Sequence, residues 1–107
     1  MEMNEYQALA SRTRPQEDDL GQVANFSMGL CGEAGEVTDY LKKVIFHGHK
    51  MELEKLCSEL GDVIWYVSQL ADIYGLPLAH VASHNINKLK RRYPDGFKES
   101  DSINREV

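Results

Sequence analysis

Apolar residues recur along this chain at spacings of three and four, which is the period of a helix with one buried face. The clearest pattern lies in residues 51–74, where leucine, valine and tyrosine form a single apolar stripe. A longer run of the same kind covers residues 19–46, and shorter runs cover 3–13 and 77–92. No stretch shows the strict alternation of a half-buried strand. The pattern therefore predicts an all-α protein with four helices.

Glycine and proline mark the ends of these helices and keep the connections short. Gly48 and Gly75 are predicted to end the second and third helices, and Pro77 suits the first turn of the fourth. Short connections between long amphipathic helices favour antiparallel packing in a small four-helix bundle-like domain. We expect this domain to occupy residues 1–97 and to be followed by a poorly ordered polar tail, residues 98–107. Because 107 residues bury only a modest core, we expect oligomerisation to complete the bundle.

Composition narrows the classes of partner. The formal net charge of −5 opposes binding to nucleic acid or to acidic membranes. No apolar run approaches the ~20 residues that span a bilayer, and the first residues, MEMNEYQ, lack the layout of a signal peptide. A cytoplasmic location is therefore expected. Cys31 and Cys57 form no CxxC motif and are predicted to be buried, reduced thiols.

Two pairs of acidic residues stand on the second and third predicted helices, Glu33 with Glu36 and Glu59 with Asp62. A spacing of three places each pair on one helical face. Clustered carboxylate oxygens without thiols suit a hard cation such as Mg²⁺ or Mn²⁺. Such pairs also occur on ordinary solvated helical faces, and spacing alone leaves both interpretations open.

Histidine is absent from the positions that a di-iron helical bundle requires. That class of protein uses Glu-x-x-His pairs, whereas Glu36 follows Glu33 and Asp62 follows Glu59 at this spacing. Di-iron chemistry is therefore not expected, and the four histidines are assigned structural or surface roles.

The second helix contains three glycines at intervals of three, Gly29, Gly32 and Gly35, and Gly61 lies between the acids of the third. Each glycine in a helix interior costs about 1 kcal/mol relative to alanine. Small residues allow close approach of helices. We therefore expect the second and third helices, or two copies of the second, to approach closely beside the acids.

Basic residues concentrate at the end of the fourth helix, in residues 88–92. Cations there complement the helix dipole, but their density in an acidic protein also indicates a surface facing phosphate groups. Asn85 shares a face with Lys88, and Lys43 shares one with Glu36. Trp65 lies opposite the apolar stripe of the third helix, where a subunit interface or a stacked nucleotide base could cover it.

Three segments together resemble a known family. GEAGEVTDYLKK, SELGDVIWYVSQLA and NINKLKRRYPDGF resemble the MazG-like nucleotide pyrophosphohydrolases of the all-α NTP pyrophosphatase superfamily. The signature is an ExxE pair followed by an ExxD pair, here separated by the 22 residues 37–58. The resemblance extends over residues 7–97.

The resemblance implies Mg²⁺-dependent hydrolysis of nucleoside triphosphates to a monophosphate and pyrophosphate, in a homodimer or homotetramer. It also implies functional roles for particular residues. The metal-binding acids would be Glu33, Glu36, Glu59 and Asp62. Substrate-binding residues would be Lys43, Asn85, Lys88, Arg92, Tyr93 and Trp65.

Among these residues, Glu36 or Glu59 is expected to activate the attacking water, and Lys88 to stabilise negative charge on the phosphates. Two alternatives remain open at this point. One is a related α-helical pyrophosphatase that acts on another nucleotide, and the other is a non-catalytic helical interaction module.

Overall fold

The computed structural model describes residues 1–105 and confirms an all-α protein, with no strand in that range. It contains five α-helices, with a 3₁₀ turn at Ser11–Thr13 after the first. The helices are α1 (Met3–Ala10), α2 (Asp19–Phe46), α3 (Leu53–Ile73), α4 (Leu78–Arg92) and α5 (Glu99–Ile103). No helix in residues 1–105 is long and apolar enough to cross a membrane.

Helices α2 and α3 form an antiparallel hairpin, which is the main packing unit of the chain. The Phe26 ring meets Tyr66 near one end of the hairpin, and the Lys55 ammonium lies 4.9 Å from the centre of the Tyr40 ring near the other. The Tyr40 hydroxyl also fixes the connecting loop. It donates to the carbonyl oxygen of Lys50 at 3.1 Å and accepts from the Glu52 N–H at 2.8 Å. These contacts set the register that brings Glu33 close to Glu59 and Asp62.

Helix α1 folds back across α3 and the start of α4, and a buried glutamine holds it there. The Gln7 amide donates to the carbonyl oxygens of Ser68 and Leu76, both at 3.0 Å. Its oxygen accepts from the Leu78 N–H at 2.9 Å. The first N–H groups of a helix have no partner within that helix, so Gln7 caps α4 while it anchors α1.

The indole of Trp65 is partly covered by the same chain. Its N–H donates to the carbonyl oxygen of Ala10 at 3.1 Å and to the Thr13 hydroxyl at 2.9 Å. The ring packs edge-on against the buried Phe26, with the two ring centres 5.6 Å apart. The cover that the sequence assigned to a subunit interface or a nucleotide base therefore comes in large part from α1 and the 3₁₀ turn.

Much apolar surface stays uncovered in the single chain. Three residues of the predicted α3 stripe are exposed: Leu53 by 74%, Leu60 by 46% and Tyr74 by 65%. The radius of gyration is 16.8 Å, whereas a compact domain of this length has about 13 Å. The bundle is thus open, and its completion by oligomerisation stays a prediction.

Two local predictions were wrong. Cys31 and Cys57 are exposed thiols, because neither lies on the helix face that packs in the α2–α3 hairpin. The tail predicted to be poorly ordered contains helix α5. It begins where the Lys98 carbonyl oxygen accepts from the Asp101 and Ser102 N–H groups, both at 3.1 Å. The last two residues of that tail, 106 and 107, lie outside the described part of the chain.

Candidate metal centre

Three of the four predicted acids converge between α2 and α3. Glu33, Glu59 and Asp62 each offer one carboxylate oxygen, and these oxygens all lie within 4.8 Å of one another. Glu36, one helical turn beyond Glu33, is exposed and is not among the three. The spacing identified the correct helix faces, but the structure places only one acid of the α2 pair inside the cluster.

Gly29 permits the close approach of the helices beside this cluster. A Cβ atom at this position would fall on the Tyr66 ring, nearest its Cε1 and Cζ atoms. The predicted close approach is therefore correct at Gly29. Nothing lies within 4 Å of a Cβ atom built at Gly32, Gly35 or Gly61. At these three positions the described chain shows no close approach of α2 and α3, and an approach between two copies of α2 stays a prediction.

Desolvation and neighbouring negative charges both disfavour the ionised form of Glu33. Desolvation, followed by the charges of Asp62, Glu59 and Glu36, raises the pKa of Glu33 above its ordinary value. Nearby carboxylates disfavour one another's ionised forms, and a cation among them would reverse this effect. The three acids therefore form a locally unfavourable arrangement that a bound cation would relieve.

The donor set fits a hard divalent ion. All three groups are carboxylates, and the cluster contains no imidazole or thiol, which favours Mg²⁺ or Mn²⁺ over softer metals. Ligands about 2.1 Å from an octahedral Mg²⁺ lie roughly 3 to 4 Å apart. Oxygens that already lie within 4.8 Å of one another need only small side-chain rotations to reach that geometry.

A cavity of about 350 Å³ opens beside the acids and is lined by Thr13, Glu33, Asp62, Trp65 and Tyr66. Thr13 and Tyr66 were not expected from the sequence. Tyr66 did carry a signal, since it follows Asp62 by four residues and so shares its helical face. No sequence pattern pointed to Thr13, because its position depends on the 3₁₀ turn folding against α3.

Tyr6 of α1 also lies close enough to sense the acidic cluster. Burial, and then the negative charge of Asp62, raise the pKa of the Tyr6 hydroxyl. A tyrosine hydroxyl is protonated at neutral pH in any case, and this shift extends the pH range in which it can donate a hydrogen bond. No local pattern identified Tyr6, which reaches this region only because α1 packs on α3 and α4.

The predicted basic residues are not brought to the acids within residues 1–105. Lys88 and Arg92 line a different cavity, at the end of α4. Asn85 is exposed, and the Tyr93 ring lies near Phe97, with 5.4 Å between the ring centres. None of these four residues lines the cavity beside Glu33 and Asp62.

Lys43 makes a local ion pair. Its ammonium lies 2.8 Å from the Asp39 carboxylate. A hydrogen bond with Asp39 raises the pKa of Lys43. An exposed pair at this helical spacing contributes little to stability, and it leaves Lys43 near the α2 surface that carries Glu36.

The candidate site belongs to the class of carboxylate metal sites. It lies in an open α-helical hairpin that brings three carboxylates together beside an aromatic-lined cavity. Comparison with known proteins gives the family. Residues 23–97 match the MazG nucleotide pyrophosphohydrolase domain, so the chain belongs to the MazG nucleotide pyrophosphohydrolase family. The match includes the acidic cluster and α4 but ends before α5.

One similar curated protein is the Gene 37 protein of Mycobacterium phage L5. It is 36% identical over 114 residues, which cover 98% of this chain and 100% of the phage protein. No solved structure gave a significant match.

The raised pKa of Glu33 predicts a pH-dependent difference in stability. In metal-free protein, folded Glu33 holds its proton at pH values where the unfolded chain has already lost it. Stability therefore increases as the pH falls through the raised pKa. Above that pKa, the folded protein carries the full cost of an ionised Glu33. We expect wild type to be less stable than Glu33→Gln at about pH 7.5 and the gap to narrow by about pH 4.5.

Thermal unfolding in a metal chelator at both pH values measures this gap. Glu54→Gln serves as the control, because Glu54 is an exposed acid in the first turn of α3 and is not part of the cluster. A gap between wild type and Glu33→Gln that stays constant with pH would contradict the raised pKa of Glu33.

Proposed function

We propose that this protein hydrolyses nucleoside triphosphates to nucleoside monophosphates and pyrophosphate, with Mg²⁺ as cofactor and Mn²⁺ as a possible substitute. The observation that carries the proposal is the convergence of Glu33, Glu59 and Asp62 within the family domain. When bound there, the ion would offset the charge of the triphosphate and polarise its phosphate oxygens.

The acids divide into two roles in this proposal. Glu33, Glu59 and Asp62 hold the ion, because their oxygens already lie together. Glu36 stays outside this group and exposed, and so keeps a free carboxylate that can orient or deprotonate the attacking water. Of the two residues expected to activate water, Glu36 is therefore favoured over Glu59.

The aromatic wall of the cavity offers a place for the nucleoside. Trp65 is held by its two hydrogen bonds to the α1 segment, and Tyr66 lies beside it with 4.9 Å between the ring centres. Fixed aromatic faces stack on nucleobases with little loss of side-chain entropy. We assign Trp65 to base binding, with the unexpected Tyr66 as its neighbour.

The basic groups complete the proposed substrate site from other positions. Lys88 and Arg92 would bind phosphate oxygens, with Asn85 and Tyr93 nearby and Lys43 beside Glu36. Because Lys88 and Arg92 line a separate cavity in one chain, a second copy is the natural source of these groups for a given acidic cluster. The partners proposed are thus a nucleoside triphosphate and further copies of this chain in the cytoplasm, without nucleic acid or membrane.

The homodimer or homotetramer is testable on its own. An apolar groove of about 460 Å³ lies along α2 and α3, and a second copy would bury it together with the exposed α3 stripe. Its apolar lining consists of Val23, Leu30, Val67, Leu70, Ala71, Tyr74 and Leu76. We expect sedimentation equilibrium at micromolar concentration to give a mass of two or four chains, and the mass of one chain would refute the assembly.

Product identification tests the reaction itself. Purified protein is incubated with a panel of ribonucleoside and deoxyribonucleoside triphosphates plus Mg²⁺, and the products are identified by mass spectrometry. Monophosphate and pyrophosphate in equal amounts are expected from at least one substrate. Diphosphate and inorganic phosphate would refute the proposal. Activity confined to another nucleotide, such as phosphoribosyl-ATP, would favour the related pyrophosphatase, and the absence of both activity and Mg²⁺ binding would favour the non-catalytic module.

A further inference from the structure

A second, larger cavity of about 540 Å³ lies where the end of α4 meets the segment around α5. Side chains able to donate hydrogen bonds to an anion dominate its lining. They are His84, Lys88, Arg91, Arg92, Asn104 and Arg105. A single carboxylate, that of Asp101, lines the same space. The cavity is therefore strongly basic in a protein whose overall net charge is −5.

The C-terminal segment supplies one wall of this cavity. Asp101, Asn104 and Arg105 lie beyond residues 23–97, which match the family domain. The Asn104 amide donates to the Ser100 carbonyl oxygen at 2.9 Å, so the end of α5 is held by its own side chain. That wall lies outside residues 23–97, so the match to the family domain does not account for this half of the cavity.

Helix α4 ends with more basic residues than the helix dipole accounts for. One or two basic residues in a last helical turn complement the helix dipole, yet α4 ends with Lys90, Arg91 and Arg92, and Arg105 arrives from another element. Like charges around a concave space repel one another unless an anion lies among them. No ion pair in residues 1–105 joins Asp101 to any of these cations.

The chemistry of the lining points to a chain of phosphates. The planar guanidinium group matches phosphate oxygens with two parallel hydrogen bonds, and three arginines with one lysine offer donors to several phosphate groups at once. A monovalent carboxylate would use only part of this set. The volume is in the range of small-molecule sites.

We propose that the α4–α5 cavity is a polyphosphate-binding site and that Arg91 and Arg105 are binding residues in addition to Lys88 and Arg92. The identification of the ligand as the triphosphate of a nucleotide substrate rests on the proposed function. The affinity of the cavity for a polyphosphate does not rest on it, and inorganic tripolyphosphate is therefore the probe.

Calorimetric titration of full-length protein with tripolyphosphate, in a metal chelator, tests the site. We expect saturable binding by wild type. Arg91→Gln and Arg105→Gln should each weaken it about tenfold, the usual effect of losing a charged hydrogen-bond donor. Lys90→Gln is the matched control, because Lys90 lies on the same helix, loses the same charge and does not line the cavity.

Asp101→Asn provides the opposite test, since removal of the only carboxylate in the lining should tighten tripolyphosphate binding. A misfolded variant would not bind more tightly, so this gain separates a local effect from damage to the fold. Absence of saturable binding by wild type would overturn the site. So would an equal loss with Lys90→Gln, or unchanged or weaker binding with Asp101→Asn.

Turnover measured on the same proteins keeps this inference separate from the proposed function. Tripolyphosphate binding without release of pyrophosphate from any nucleotide would reject the reaction and retain the cavity. Nucleotide hydrolysis by a wild type that does not bind tripolyphosphate would retain the reaction and reject the cavity.

Discussion

Gly29→Ala is expected to destabilise the folded protein by about 2 kcal/mol or more, which lowers the melting temperature by roughly 10 °C. The added Cβ atom would overlap the Tyr66 ring and lie 2.7 Å from its Cδ1 atom. The ring cannot withdraw easily, because it packs edge-on against both Trp65 and Phe26. This cost of overpacking exceeds the gain of about 1 kcal/mol that alanine brings to a helix interior. Thermal or denaturant unfolding measures the difference.

The same helix offers two matched controls. A Cβ atom at Gly32 or Gly35 meets nothing within 4 Å, so Gly32→Ala and Gly35→Ala should stabilise the chain by about 0.5–1 kcal/mol each. The same glycine-to-alanine substitution is thus expected to lower stability at position 29 and to raise it at positions 32 and 35. A neutral Gly29→Ala variant would contradict the helix approach described here, and destabilisation by Gly32→Ala would indicate that another surface covers that position.

The second large effect concerns activity. Glu59→Gln and Asp62→Asn should each lower the rate of pyrophosphate release at least about a hundredfold. Even the partners that orient metal ligands typically account for 10- to 100-fold in activity, and each substitution removes one of three converging carboxylates. Initial rates with the best nucleotide and saturating Mg²⁺ provide the measurement.

Stability data distinguish this loss from unfolding. Each substitution removes negative charge from a repulsive cluster, so in a metal chelator both variants should melt at or above the wild-type temperature. Glu54→Gln, on the same helix but outside the cluster, should keep wild-type activity. Wild-type rates in Glu59→Gln and Asp62→Asn would contradict the role given to these acids.

Local periodicity was sufficient to predict the helices and to select candidate acids on their faces. The spacing of apolar residues predicted α2 at residues 19–46, the bounds that the structure shows, and α3 within two residues at its start and one at its end. The i, i+3 spacing selected four candidate acids, and the structure brings three of them together, Glu33, Glu59 and Asp62. These features depend only on neighbours along one helix, so they can be recognised in a single sequence.

Features that depend on contacts between elements could not be predicted in this way. The position of Glu36 outside the cluster depends on how α2 faces α3, and that of Thr13 on a 3₁₀ turn folding back. The three equally spaced glycines looked equivalent in sequence, yet only Gly29 meets a side chain of the neighbouring helix. Helix α5 was missed because its residues are polar and carry no apolar stripe.

Titration of Mn²⁺ into metal-free protein measures binding at the proposed metal centre without requiring turnover. We expect saturable binding by wild type, its loss in Glu33→Gln and Asp62→Asn, and its retention in Glu54→Gln. Equal affinity in wild type and in both cluster variants would contradict the assignment of Glu33 and Asp62 as metal-binding residues.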